Sequence, residues 1–346
     1  MEYRLLGRTG VSVSPLCLGT MMFGPWGNDD RADSTRIIHR ALDAGINFVD
    51  TADVYSGGVS EEIVGDALQG RRDDIVLATK FFMPMNWSAT MSYNDQPNHS
   101  GGSRRWIIQE VENSLRRLKT DYIDLYQVHR PSPTTDVEET LGALTDLVHQ
   151  GKIRYIGSSS YAASQIVEAQ WKSRELNLAR FVTEQPPYSI LARGIEQDIL
   201  PTTQRYGMGT LVYSPLSGGW LTGRWRKDAP GTPTSAARPR AHFDMSLPAN
   251  QRKLDIVEEL ALLAEKSGMT LIELALAWAI SHPGVTAAII GPRTMEQLES
   301  QLPAADVTLS TEVLDRIDAL VAPGVTLNAD DNSYGAAELT PEARRR

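Results

Sequence analysis

One cysteine, Cys17, in 346 residues excludes an internal disulfide, and its apolar setting between Leu16 and Leu18 marks it as a small core residue rather than a reactive thiol. Positive charge is in deficit, 34 Lys and Arg against 43 Asp and Glu, and the net charge of −9 gives no broad attraction for nucleic acid. The closing Arg344-Arg345-Arg346 reads as a solvated tail. Long apolar runs are missing too. The strongest, Leu271 to Ile280, is interrupted by Glu273 and reads as a buried helix, not a membrane span. Met1-Glu2-Tyr3-Arg4 has no apolar signal core, so the sequon Asn86-Trp87-Ser88 is read as chance and a cytoplasmic protein is expected. The six histidines, at 39, 99, 129, 149, 242 and 282, show no His-x-His spacing, so no metal site is expected. No Gly-x-Gly-x-x-Gly follows a strand, which removes the usual dinucleotide fingerprint.

What is present is an alternation. Tyr3 to Leu6, a Gly7-Arg8-Thr9-Gly10 turn and Val11 to Ser14 read as a hairpin that closes the bottom of a larger structure. Short apolar runs then alternate with helical patterns. The strand candidates are Leu16 to Leu18, Phe48-Val49, Ile75 to Thr79, Ile123 to Val128, Ile153 to Ser158, Phe181 to Thr183, Gly209 to Tyr213 and Ala287 to Ile290. Between and after them lie helical patterns at 34–44, 60–68, 105–118, 137–150, 164–174, 196–206, 253–267, 271–281, 295–302 and 312–320. Eight such units favour a closed parallel (β/α)8 barrel, a TIM barrel, over an open sheet. A single barrel domain over 1–323 and an irregular C-terminal tail over 324–346 are expected. Two connections, Phe81 to Ser103 after the third barrel strand and Ser214 to Asn250 after the seventh, are too long for ordinary βα loops and overhang the presumed active face.

Asp50, Tyr55, Lys80 and His129 each lie just beyond an apolar run, where parallel barrels place catalysis. Singly, Asp50 could be a turn cap, Lys80 a solvent charge and His129 a core histidine. Jointly they equip a site to protonate a carbonyl oxygen while hydride reaches its carbon. A free tyrosine, with a pKa of about 10, is a poor acid near neutrality. A nearby ammonium lowers that value, and a carboxylate keeps the ammonium charged and placed. His129 could orient the carbonyl when neutral or share in proton delivery when charged.

The segments Asn47 to Tyr55, Ala78-Thr79-Lys80 and Asp121 to His129 resemble the signature blocks of the aldo-keto reductase family. The resemblance runs from the opening hairpin to about Val321. It implies a (β/α)8 barrel, a nicotinamide cofactor extended across its top, and Asp50, Tyr55, Lys80 and His129 as the catalytic tetrad. The reaction implied is NADPH-dependent reduction of aldehydes or ketones to alcohols by hydride transfer, with Tyr55 as proton donor and a small-molecule carbonyl compound as substrate. Some members of that family serve as channel subunits with slow turnover, so a regulatory subunit of the same fold is the alternative.

The same resemblance places further residues on the cofactor: Gly19, Thr20 and Met21 at the first strand end, with Asp50. Ser159 matches the serine of a Ser-Asn pair that holds the nicotinamide carboxamide, while Ser160 replaces the asparagine. Gln185 matches the other carboxamide ligand and Tyr213 the aromatic under the nicotinamide ring. In Ser214 to Gly223, which includes Leu216, Ser217 and Gly219, glycines let backbone N–H groups approach a pyrophosphate. Arg224-Trp225 stands where a nucleotide triphosphate loop needs Lys and Ser or Thr, which excludes that reading. Arg293 is expected on the 2′-phosphate, Gln297 and Gln301 on the adenine side, and the helix start near Thr294 adds N–H donors. Met and aromatic residues in the two long loops, Trp87 and Trp220 among them, suit an apolar substrate pocket.

Overall fold

The computed structural model describes residues 1–85, 97–228 and 240–332. Eight parallel strands close into a barrel: β3 (Leu16–Gly19), β4 (Phe48–Asp50), β5 (Val76–Phe81), β6 (Ile123–Val128), β7 (Ile153–Ser159), β8 (Phe181–Gln185), β9 (Gly209–Val212) and β10 (Ala287–Ile290), with β10 bonded to both β9 and β3. The expected (β/α)8 TIM barrel is present. β1 (Arg4–Leu5) and β2 (Ser12–Val13) form the antiparallel hairpin ahead of it. Leu6 and Val13 pack with Cys17, Phe48, Ala78, Leu125 and Leu211, so the hairpin plugs the barrel at the strands' N-terminal ends.

Side chains alternate along a strand, so i and i+2 share a face. Phe48, Ala78 and Leu125 belong to this interior cluster. Two residues further along the same strands come Asp50, Lys80 and Gln127, all buried. The barrel interior therefore changes from apolar to polar one layer before its C-terminal mouth. The opposite faces of the strands carry Leu18, Val49, Leu77, Tyr126 and Val128, and these belong to the second core, between barrel and helices.

The helices begin where local chemistry dictates. α1 (Arg31–Asp43) starts three residues before the apolar pattern, because the Asp30 carboxylate accepts from the N–H groups of Ala32 and Asp33 at 2.9 and 3.0 Å. α6 (Ile199–Tyr206) starts later than expected, and a short 3₁₀ turn over Gly194–Glu196 precedes it. Pro201 has no N–H to donate and its ring excludes the carbonyl one turn back, so it is confined to the first turn. In α8 (Leu271–Ser281), Glu273 accepts from the N–H of Thr270 at 2.7 Å while the Thr270 hydroxyl accepts from the Glu273 N–H at 3.2 Å. The residue that interrupts the apolar run is thus the third helical residue of a capping box whose cap is Thr270. Among the described residues no helix is long and apolar enough to cross a membrane.

The remaining helices are α2 (Val59–Ala67), α3 (Arg104–Leu118), α4 (Val137–His149), α5 (Ala163–Glu175), α7 (Pro248–Lys266), α9 (Met295–Gln301) and α10 (Thr311–Leu320). α7 begins five residues before the expected Lys253, with Pro248 in its first turn. The chain from Gly324 was expected to be irregular, yet its first part is tied down. Arg193 N–H donates to Val325 O at 3.0 Å, Leu327 N–H to Leu191 O at 3.0 Å, and a 3₁₀ turn covers Ala329–Asn332. The sequence signal for this docking is only the short alternation Val325-Thr326-Leu327-Asn328, at the lower limit of a strand pattern.

α2 and α3 touch through Gly65. A Cβ built there would lie 2.6 Å from Arg117 O and 2.7 Å from Leu118 O, both backbone atoms that cannot swing away. Gly65→Ala is expected to destabilise the fold by about 1–3 kcal/mol through overpacking, read as a lower urea midpoint at unchanged m-value.

Candidate active site

At the mouth of the barrel the Lys80 ammonium, fully buried, lies 2.5 Å from Asp50 Oδ1 and 3.3 Å from the Tyr55 hydroxyl, and donates to Thr51 O at 2.8 Å. Asp50 Oδ2 accepts from Gln127 Nε2 at 3.0 Å and from Gln185 Nε2 at 2.9 Å. One carboxylate thus joins β4, β5, β6 and β8. Gln127 was not singled out beforehand; its signal was a polar residue inside the apolar run of β6, in register with Lys80. Tyr55 opens a tight turn over Tyr55–Gly58 in which Ser56, Gly57 and Gly58 all have left-handed backbone, φ 52°, 65° and 97°. Ser56, which is not glycine, is held there against its own preference, with its hydroxyl accepting from Trp26 N–H at 3.2 Å.

His129 meets Tyr55 edge-on, the ring centroids 5.9 Å apart. Its Nδ1 is buried with no hydrogen-bond partner. Burial, reinforced by the Lys80 and Arg130 charges, holds the imidazole well below its ordinary 6.5, so it is neutral near pH 7. Tyr55 departs from the simple expectation. Burial outweighs the Lys80 ammonium and lifts the phenol above its ordinary 10. Lys80 is raised as well: burial works against its charge, but Asp50 and Tyr55 overcome it. The resting site is therefore a neutral phenol, an ammonium and a neutral imidazole.

Around this centre the other predicted residues distribute unevenly. Thr20 N–H donates to Asp50 O at 3.0 Å, and a Cβ on Gly19 would lie 2.6 Å from Ile289 Cγ2, so the first strand end packs tightly beside Asp50, with Met21 half-buried next to it. Ser159 donates to Gln185 O at 2.9 Å. Gln185 uses its amide nitrogen on Asp50 and on Gln127 Oε1, the latter at 3.2 Å, so its carbonyl oxygen is what it can offer a bound group. Ser160 has φ 59°, accepts from Arg130 and lies 3.3 Å from the Tyr213 hydroxyl. Glu184, which the sequence reading missed, sits beneath this loop. It accepts from the Ser158 hydroxyl at 2.5 Å and from Tyr161 N–H at 3.1 Å.

Ser214 to Gly223 folds into successive tight turns. Ser217 N–H donates to Ser214 O at 2.8 Å and Gly219 N–H to Leu216 O at 2.9 Å, and Ser214, Ser217, Gly218, Gly219 and Gly223 all have positive φ. At the far end, Gln297 Oε1 accepts from Arg293 N–H at 2.8 Å, and Thr294 Oγ1 accepts from Gln297 N–H at 3.3 Å. Of the N–H groups expected near Thr294, that of Gln297 is therefore engaged by the cap, and the Gln297 side chain turns to the loop backbone. Gln301 is buried with its Oε1 unpartnered.

Of the two tryptophans expected in a substrate pocket, Trp87 lies outside the described residues. Trp220 is 1 % exposed and stacks on Trp225 at 4.2 Å, so its ring belongs to the packing beneath its loop. Among the described residues, a tryptophan that faces the tetrad is Trp26, its ring 6.2 Å from that of Tyr55. It falls in the loop after β3, where no flanking pattern in the sequence points to the mouth.

The sequence model of the aldo/keto reductase family matches residues 15–322. The chain belongs to that family. An uncharacterized oxidoreductase of Bacillus subtilis, YrpG, is 39 % identical over 94 % of this chain and 97 % of its own length. The aldo-keto reductase YhdN of the same organism is 37 % identical over 99 % of each chain. A probable voltage-gated potassium channel subunit beta of Oryza sativa subsp. japonica is 36 % identical over 93 % of this chain and 97 % of its own. These comparisons support an oxidoreductase of the aldo-keto reductase family.

Within this aldo-keto reductase, burial first, against the opposing bonds from Ser158 and the loop N–H groups, lifts the Glu184 carboxyl from 4.5 to about 7. The folded protein keeps a proton that the unfolded chain has lost between those values. That contribution is complete below 4.5 and disappears as pH rises through about 7. Relative to Glu184→Gln, the wild type should lose about 2–3 kcal/mol of stability between pH 5 and pH 8, measured by urea unfolding at each pH.

Proposed function

We propose that this protein is an NADPH-dependent reductase of aldehyde or ketone carbonyls, with Tyr55 as proton donor. The observation that carries this reading is the Lys80 ammonium placed between the Asp50 carboxylate and the Tyr55 hydroxyl, with a neutral His129 beside the ring. The groups that would hold a nicotinamide dinucleotide fit it. A Cβ on Gly223 or on Gly291 would meet nothing within 4 Å, so there is open space beside the turns of the Ser214–Gly223 loop and beside Arg293. Ser159, Gln185 and Tyr213 would hold the nicotinamide end, the turns at 214–223 the pyrophosphate, and Arg293 the 2′-phosphate. The bound cofactor would supply the hydride. Ser160 in place of asparagine leaves one carboxamide contact to be made by other means.

The chain's own part is proton management. Tyr55 holds its proton across neutral pH and can release it to a carbonyl oxygen only as negative charge gathers there. The phenolate left behind is stabilised by Lys80, 3.3 Å away, and Asp50 keeps that lysine charged and fixed. The single N–H of neutral His129 can hold the carbonyl oxygen in line. Trp26 beside Tyr55 offers an apolar wall to the substrate.

The likeness to a protein described as a potassium channel subunit beta supports a second reading, a cofactor-binding regulatory subunit with slow turnover. NADPH oxidation across a panel of aldehydes separates the two. Turnover on the order of 1 s⁻¹ or faster with any panel member favours the reductase.

Tyr55→Phe should retain cofactor affinity and lose about 10²- to 10⁴-fold in carbonyl reduction, measured as single-turnover NADPH oxidation. Near-normal turnover would remove Tyr55 from its role. Arg293→Ala should weaken NADPH binding roughly ten- to a hundredfold and leave NADH nearly unchanged in equilibrium titration. Equal loss for both cofactors would assign Arg293 to folding instead.

A further inference from the structure

The segment 325–332 joins two loops at the barrel mouth that are distant in sequence. Its first half pairs with the loop after β8, which begins directly beyond Gln185. Ala192 and Thr326 form an antiparallel bridge, Leu327 N–H donates to Leu191 O at 3.0 Å, and the Thr326 hydroxyl accepts from Gly194 N–H at 3.2 Å. Its second half enters the long connection after β9. Asn328 donates to Asn250 Oδ1 at 3.0 Å, and Asp331 places one carboxylate oxygen 2.9 Å from His242 Nδ1 and the other 2.8 Å from Lys253 Nζ.

Both contacts of Asp331 lead to Trp220. The Lys253 ammonium lies 4.5 Å from the centroid of the Trp220 ring, and Trp220 Nε1 donates to the carbonyl of His242 at 3.1 Å. Trp225 stacks on the same ring at 4.2 Å, and Phe243 lies near-parallel to both. Trp220 itself belongs to the tight turns over Ser217–Thr222. Lys253 is fully buried and Asp331 is 8 % exposed. Two buried charges add little net stability over apolar residues of the same size, but they accept only one partner arrangement. Burial works to raise the Asp331 carboxyl, yet the His242 bond and the Lys253 charge hold it below its ordinary value, so it stays ionised.

We infer that residues 325–332 act as a clasp on the Ser214–Gly223 loop, with Asp331 as the positioning residue that sets how long a dinucleotide stays bound. The inference rests on the cofactor-binding reading of that loop. Because Trp220 is part of that loop, opening it has to displace Trp220 from Lys253 and from the His242 carbonyl. Those two groups are fixed by Asp331. The far end of the clasp is fixed to the loop that follows Gln185, so pyrophosphate and nicotinamide ends are restrained together.

The test is the rate at which NADPH leaves the full-length protein, followed by its fluorescence in stopped flow after a chase of excess NADP+. A dissociation rate constant does not depend on the folded fraction, so simple loss of stability leaves it unmoved. Asp331→Asn should speed release at least tenfold, and Asp331→Glu should restore most of the slow release. An unchanged rate in folded Asp331→Asn overturns the clasp. If Asp331→Asn does not fold, hydrogen exchange on the wild type decides: amides of 217–223 and of 329–332 should gain protection together when NADPH is added. Protection of 217–223 alone overturns the clasp. Failure of the wild type to bind either NADPH or NADP+ would overturn the cofactor reading itself, a result distinct from rapid release.

Discussion

The contact on which the barrel mouth depends is the buried pair of Lys80 and Asp50. An ammonium with no exposure can exist there only beside a carboxylate, and removing either partner from such a pair costs about 3–5 kcal/mol. The carboxylate in turn satisfies Gln127 and Gln185, and the ammonium satisfies the Tyr55 hydroxyl and the Thr51 carbonyl. Five side chains from four strands and one loop are thus placed by a single charge pair. Loss of that pair would leave several buried polar groups unmatched, so this layer is rigid for the same reason that it is chemically competent.

Burial and charge act in opposition throughout the site, and the winner differs by residue. At Lys80 the partner charges win and the ammonium persists. At Tyr55 and His129 burial wins, which keeps one group protonated and the other neutral. Behind them, Glu61 accepts from the Thr79 hydroxyl at 2.6 Å and pairs with Arg117 at 2.6 Å, which also pairs with Glu110. Asp53, buried beside this group, is pushed well above the ordinary carboxylate range by burial and by the Glu110 and Glu61 charges. The site therefore rests on a scaffold of few net charges, and the Lys80 ammonium acts in a low-dielectric surrounding where its effect on a developing phenolate is large.

Much of this was legible because the signals are local. Barrel strands announced themselves as short apolar runs, and strand ends located Asp50, Lys80 and His129 without any contact information. Gln127 and Glu184 were less legible, since a polar residue in a strand reveals that it needs partners but not which ones. Trp220 was misplaced for a different reason. An aromatic in a loop at the active face can line a pocket or pack the loop, and composition is the same in both cases. Trp26 was passed over because the turn that brings it to Tyr55 depends on Ser56, a contact across 30 residues.

By itself the sequence determined the barrel, its hairpin plug and the four polar residues at its mouth, because hydrophobic period and strand-end position are properties of contiguous residues. Tertiary structure decided the protonation states, since the Tyr55 value depends on how far burial exceeds one ammonium 3.3 Å away. It also decided the course of the C-terminal segment. The alternation at Val325 to Asn328 does not say what the segment pairs with, and the partners of Thr326, Asn328 and Asp331, which are Ala192, Asn250, His242 and Lys253, lie between about 70 and 140 residues away in a chain whose closure brings them together. A pattern confined to neighbours cannot specify which buried charge a distant carboxylate will meet; only the closed barrel, by fixing both ends of that distance, can.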